Sequence, residues 1–188
     1  NAIAAKTDGV VTATLAADSL SNLGALTTAG TDVITITVND NAEADVTASN
    51  LSTLGGKTAG VVTVSNAVDI SGTASELTAA LVTADTLVVA GTATANITDE
   101  ATTDIDATVL TAIGAKTSGQ VTVTNAIDIS GTTAEVTAAL VTDSTRVVAQ
   151  SATVTISDNP SISALNAITV KTDGVVTATL APDTSTNL

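Results

Sequence analysis

Apolar and polar residues alternate along this chain in short runs, and the runs recur at regular intervals. Val62-Thr63-Val64 alternates as a half-buried strand does, and after Asn66 the alternation resumes with the same sense in Val68-Asp69-Ile70-Ser71. Gly72 breaks the run and the period changes. Leu77, Ala80 and Leu81 fall at i, i+3 and i+4, one face of a short helix. Thr73-Ala74-Ser75-Glu76 stands before them in capping-box form, with a hydroxyl to accept from a free backbone N–H and a glutamate to reach back. The same box recurs as Thr132-Thr133-Ala134-Glu135 before Val136, Ala139 and Leu140.

A longer stretch follows each of these and keeps the same order. Leu87 to Ala90 predicts a first strand, and Ala93, Ala95 and Ile97 the inward face of a second. Leu110 and Ile113 predict a helix ending at Gly114, Ala115 and Lys116, and Asp158-Asn159-Pro160 a helix start with proline at the first helical position. Leu87-Val88-Val89-Ala90 and Arg146-Val147-Val148-Ala149 are apolar on both faces, which predicts parallel strands covered by helices. A Lys-Thr-x-Gly marker begins at Lys6, Lys57, Lys116 and Lys171, starting sub-repeats near those positions. Its lysine is expected near a helix C-terminus, where a cation meets the negative end of the dipole. Its glycine (Gly9, Gly60, Gly119, Gly174) is expected in a turn of positive φ.

The repetition extends beyond single units. Residues 52–86 align without a gap on 111–145 at an offset of 59, and Asn1–Leu23 returns as Asn166–Leu188, identical at 17 of 23 positions. Residues 1–188 are therefore expected to form one continuous segment of a longer array with a 165-residue higher-order repeat. Each sub-repeat divides into two coils of roughly 27 residues, within the range of known solenoids. The predicted fold is a β-rich parallel solenoid of strand-strand-helix coils, in which each coil shelters its neighbours' apolar faces. A string of tandem β-sandwich domains is the alternative.

Composition narrows the chemistry. Of 188 residues 44% are hydrophobic, yet Phe, Trp, Tyr, Met, Cys and His are all absent. A core of Ala, Val, Leu and Ile alone has to be thin and layered. Without His or Cys there are no usual zinc sites, thiol nucleophiles, disulfides or imidazole-based triads. Without aromatics there is no stacking platform for bases or sugars. Nineteen acidic residues against five basic ones, net charge −14, disfavour nucleic acid and anionic membranes as partners, and no apolar run is long enough to span a bilayer. The absence of every easily oxidised side chain suits a long-lived extracellular product.

Two features invite a functional reading. Thr-x-Thr pairs such as Thr12/Thr14, Thr35/Thr37 and Thr122/Thr124 resemble the outward threonine ranks of ice-binding β-solenoids, but their positions predict an interrupted ladder. Asp45, Asp69 and Asp128 are expected in one outward second-strand column, with Asn96 and Thr155 in the equivalent places. Asp40 in Asn39-Asp40-Asn41 and Asp99 beside Glu100 occupy acidic turns. These five aspartates are the candidate Ca²⁺ ligands, although neither an EF-hand nor the glycine-rich nonapeptide of calcium-binding β-rolls is present. No acid pair stands out from the repeat as a hydrolase site would, and the chain is expected not to be an enzyme.

In style the whole chain resembles the Thr/Ala/Val/Asp-rich repeats of giant cell-surface and secreted proteins of marine bacteria and cyanobacteria. That resemblance implies an extracellular or cell-surface filament, surface-layer or matrix element, or adhesin stalk. The expected partners are further copies, end to end or side by side, and a polysaccharide or other surface. A surface-binding module, either Ca²⁺-stabilised or ice-binding, is the alternative function.

Overall fold

A computed structural model describes residues 1–180. The described residues form an α/β fold with three parallel sheets and six short helices. The predicted local grammar is visible in its centre. Strands β4 (Val62–Val64) and β5 (Asp69–Gly72) bury Val62, Val64 and Ile70 and turn Thr63, Asp69 and Ser71 outward. Helix α3 (Ala74–Leu77) follows, and Thr73 and Glu76 close the capping box on it. The box recurs at Thr132 and Glu135 on α5 (Thr133–Val136). Each of these helices then widens into a π turn, Thr78–Val82 and Thr137–Val141, in which Thr83 and Thr142 donate to carbonyls five residues back. The wider turn still buries the predicted face: Leu77, Ala80 and Leu81 are all inside.

Three other helices, α2 (Ala48–Gly55), α4 (Ala107–Gly114) and α6 (Ile162–Thr169), are regular and capped by Thr47, Asp106 and Ser161. The first, α1 (Leu20–Leu23), is capped by Ser19. Pro160 thus precedes the cap of α6 and lies outside the helix, because the Ser161 hydroxyl takes the Ala164 N–H and makes Ile162 the first helical residue.

Every strand pairing among the described residues is parallel, and tandem sandwiches require antiparallel ones. Partners stand about one helix-to-helix stretch apart. The remaining strands are β1 (Thr12–Thr14), β2 (Val33–Val38), β3 (Asp45–Thr47), β6 (Val88–Val89), β7 (Thr94–Ile97), β8 (Asp104–Asp106), β9 (Val121–Val123), β10 (Asp128–Gly131), β11 (Val147–Val148), β12 (Thr153–Ile156) and β13 (Val176–Thr177). They form sheets ordered β1-β2-β4-β6, β3-β5-β7-β9-β11 and β8-β10-β12-β13.

Three sheets arise, where a strict strand-strand-helix schedule would give two, because of one strand that alternation did not predict. Between α3 and α4 the chain makes three strands, the third being β8 at Asp104–Asp106. The next stretch makes two, β9 and β10. These pair backward with β7 and β8 and forward with β11 and β12. This three-strand stretch therefore ends one sheet and starts another, and the pairing steps sideways by one strand.

The core follows the ladders. Across the five-stranded sheet Val46, Ile70, Ala95, Val121 and Val147 stand in one register rank, all buried. Leu51, Leu54, Leu110 and Ile113 of α2 and α4 close over such ranks. The doubly buried strands expected at Leu87–Ala90 and Arg146–Ala149 are not found. Val88 and Val147 face inward, but Val89 is 52% and Val148 40% exposed. No helix covers the outer face of these strands at Val89 and Val148. No helix among the described residues is long and apolar enough to cross a membrane.

Candidate functional site

The outer face of the five-stranded sheet carries a shallow polar cleft of about 530 Å³, lined by Asp45, Asp69, Asn96, Gln120, Thr122 and Gln150 among others. Two ranks build it. Asp45, Asp69 and Thr94 are register neighbours, and beside them run Thr47, Ser71, Asn96, Thr122 and Val148. Side chains two apart on a strand share a face, so parallel pairing alone brings carboxylates, amides and hydroxyls together. The second rank mixes Thr, Ser, Asn and Val, so the threonine ladder is interrupted.

The five candidate cation ligands do not gather. Asp45 and Asp69 are adjacent, but Asp128 lies in another sheet, where it pairs with Asp104 and Thr153. The residues matching Asp69 and Asp128 are Thr94 and Thr153; Asn96 and Thr155 sit one rank aside. The hydroxyls of Thr94 and Thr153 donate to the carboxylates of Asp69 and Asp128. Among the described residues no group of three or more Asp or Glu is placed to hold a metal ion.

Asp40 and Asp99 have a different occupation. The Asp40 carboxylate accepts the Leu20 N–H at 2.7 Å, and Asp99 accepts the Ala74 N–H at 2.6 Å. Asp158 does the same for Thr133, taking its N–H at 2.8 Å and its hydroxyl. Each donor opens a helix (α1, α3 or α5) 20–25 residues earlier in the chain, where first-turn N–H groups lack partners. Asn66 and Asn125 in turn donate to the Asp40 and Asp99 carbonyls, both at 2.7 Å. Asparagine, aspartate and helix start thus tie three successive layers. The spacing of 59 between Asp40, Asp99 and Asp158 was readable in the sequence, but only tertiary placement gives it meaning.

The Lys-Thr-x-Gly marker also has a layer-to-layer role. Thr58, Thr117 and Thr172 are buried. Each hydroxyl accepts the N–H of the glycine two residues on, at 2.8, 3.0 and 3.0 Å, and donates to a carbonyl of the preceding layer, that of Ile34, Ala93 or Ala152. The marker glycines do not have the positive φ expected of them. The left-handed positions are Glu43, Leu87, Thr102 and Arg146. Glycine is needed because a Cβ on Gly60, Gly119 or Gly174 would lie 2.1–2.4 Å from the same neighbouring carbonyls. Lys57 lies just past α2 and donates to the Gly24 carbonyl at the end of α1, 2.6 Å away, so it serves a neighbouring helix C-terminus.

The hydrogen bonds from the Thr133 hydroxyl and then its N–H hold the Asp158 carboxyl below its ordinary value of 3.8. Asn22 and Thr108 do likewise for Asp18 and Asp106. A folded value below the unfolded one adds stability above the unfolded pKa, and that stability is lost as pH falls through the folded one. Asp158→Asn is therefore expected to lower the melting temperature at neutral pH and to flatten the acid limb below about pH 4. Parallel melts of the two proteins across that range check it; identical acid limbs would contradict the assignment.

No family model matches this chain, and neither does any curated protein or solved structure.

Proposed function

We propose that residues 1–180 are one continuous stretch of parallel β-solenoid serving as a stiff structural element of an extracellular or cell-surface filament, matrix or adhesin stalk; the last eight residues of the expected 1–188 segment lie outside the described residues. The carrying observation is that every pairing among the described residues is parallel and joins strands 21–26 residues apart. Val62 pairs with Val88, Ile70 with Ala95 and Val121 with Val147, like on like, a near-constant interval apart. A chain that repeats one interval and one residue pattern extends along an axis. Its hydrogen bonds, buried glycines and cross-layer aspartates are spent on stacking, and they recur with the repeat as scaffold does. The acidic surface, net charge −14, keeps such rods soluble and separate along their sides.

The polar cleft favours a second reading, contact with a polysaccharide surface. Asn96, Gln120 and Gln150 offer paired donors and acceptors to sugar hydroxyls, whereas the interrupted threonine ranks disfavour ice. The structural reading is tested by inserting further copies of the 59-residue repeat and imaging the products by electron microscopy. Rods whose length grows in proportion to repeat number are expected. Globules of growing diameter, or beads on a string, would overturn it.

A further inference from the structure

We infer that the polar cleft on the five-stranded sheet takes an extended polysaccharide bearing free amino groups, laid across the strands. The inference rests on the polysaccharide reading above and names the class of glycan. Two carboxylates and three side-chain amides line the cleft, with no lysine or arginine among them. Asp45 and Asp69 stand directly opposite in register, on strands about 4.8 Å apart, and like charges so placed repel. The Thr94 hydroxyl donates to one oxygen of Asp69, and Asp45 is exposed. Arg146, next in line beyond Gln120, turns its guanidinium back onto the Ser144 carbonyl, 3.1 Å away. An ammonium group lodged between the two carboxylates supplies the charge they lack. Calcium, which takes about six to eight oxygens, would find too few.

The amides are already oriented. The Thr124 hydroxyl donates to Asn96 Oδ1, and the Thr122 hydroxyl to Gln120 Oε1 at 3.3 Å. Each carbonyl oxygen is thereby held, and each NH2 group donates to no protein group among the described residues. Donors fixed beforehand lose little freedom on binding. They suit sugar hydroxyls, which accept from the amides while an amino group donates to the carboxylates. Asp69, Asn96 and Gln120 lie on or beside three successive strands, β5, β7 and β9. Their spacing, about 4.8 Å per strand, is close to the advance per sugar of an extended glycan. An anionic glycan is repelled by a protein of net charge −14.

The third sheet repeats the carboxylates without the amides. Asp104, Asp128 and Thr153 stand in register there as Asp45, Asp69 and Thr94 do in the cleft, and the Thr153 hydroxyl donates to Asp128 in the same way. The rank beside them is Asp106, Ser130 and Thr155, so a threonine stands where the cleft has Asn96. The cleft therefore departs from the repeat at the residues that would read sugar hydroxyls, and the third sheet is its internal control.

Calorimetric titration of the full chain with glucosamine oligomers, the same oligomers N-acetylated, and glucose oligomers of equal length tests the class. The glucosamine oligomers are expected to bind about tenfold more tightly than either of the others, the worth of one charge-assisted hydrogen bond. Asp45→Asn should remove most of that margin. Asp104→Asn makes the same charge change at the equivalent exposed position of the third sheet and should leave binding unchanged. Gln120→Ala, which alters no charge, should weaken binding about threefold. Equal losses from Asp45→Asn and Asp104→Asn would mean general attraction to an acidic surface and overturn the site. Equal binding of all three oligomers overturns the amino-group requirement and leaves the polysaccharide reading standing, whereas binding by none of them overturns both.

Discussion

Gly119→Ala is expected to destabilise the protein by about 3 kcal/mol, at the upper end of ordinary overpacking. The new Cβ would lie 2.2 Å from the Ala93 carbonyl oxygen and 2.7 Å from its carbon. Both belong to the backbone of the preceding layer, which cannot swing aside as a side chain would. Relief requires the two layers to part, and the Thr117 hydroxyl that bridges them would be pulled off its acceptor in the same movement. Gly9 occupies the same place in the marker and is the internal control. Its Cβ would meet only the Thr7 hydroxyl, at 3.4 Å, so Gly9→Ala should change stability by less than about 0.5 kcal/mol. Urea denaturation of the two variants decides the matter: equal, small effects would mean that the layers are not in backbone contact at the marker.

What was legible in the sequence was local. The alternation at Val62–Ser71, the capping boxes at Thr73 and Thr132 and the helix carrying Leu110 and Ile113 all follow from residues near each other in the chain. What escaped depends on the adjoining layer. The Asp104-Ile105-Asp106 strand is too short to show a period of its own and exists because β10 pairs with it. The marker's threonine and glycine recur visibly, but their reasons are a carbonyl 20–24 residues before the threonine and the lack of room for a Cβ. Asp40 and Asp99 suggest ligands because carboxylates in turns suit cations; the N–H groups that occupy them belong to helices that begin 20 and 25 residues earlier. The left-handed residues Glu43 and Thr102 are 59 apart, and each donates its N–H to the following layer, to Ala67 and Ala126. Nothing in either side chain announces that conformation.

These observations share one cause. Side chains no larger than leucine and isoleucine give each layer little apolar surface of its own, so layers must lie close. Close approach requires glycine where backbones meet and polar side chains short enough to bridge carbonyls. Thr58, Thr117 and Thr172 satisfy both neighbours with one hydroxyl because the gap is a single oxygen wide. The lack of aromatic residues and the recurrence of the marker are thus two expressions of one spacing.

The same cause fixes the second large effect. Leu110→Ala is expected to cost about 3–4 kcal/mol, within the range for a buried leucine whose surroundings relax incompletely. Leu110 is fully buried in α4, which packs against the flanking π turns and β10. With no large flexible side chain nearby to fill the space, most of the cavity should persist. Leu51 is its equivalent 59 residues earlier, also fully buried, and Leu51→Ala should cost the same to within about 1 kcal/mol. Leu20, in the short first helix and 6% exposed, has neighbours on fewer sides, so Leu20→Ala should cost less than half as much. Calorimetric melts of the three variants measure this gradient. If Leu20→Ala proves as costly as Leu110→Ala, stability is pooled in one indivisible core, and support passing from layer to layer is the wrong description of this protein.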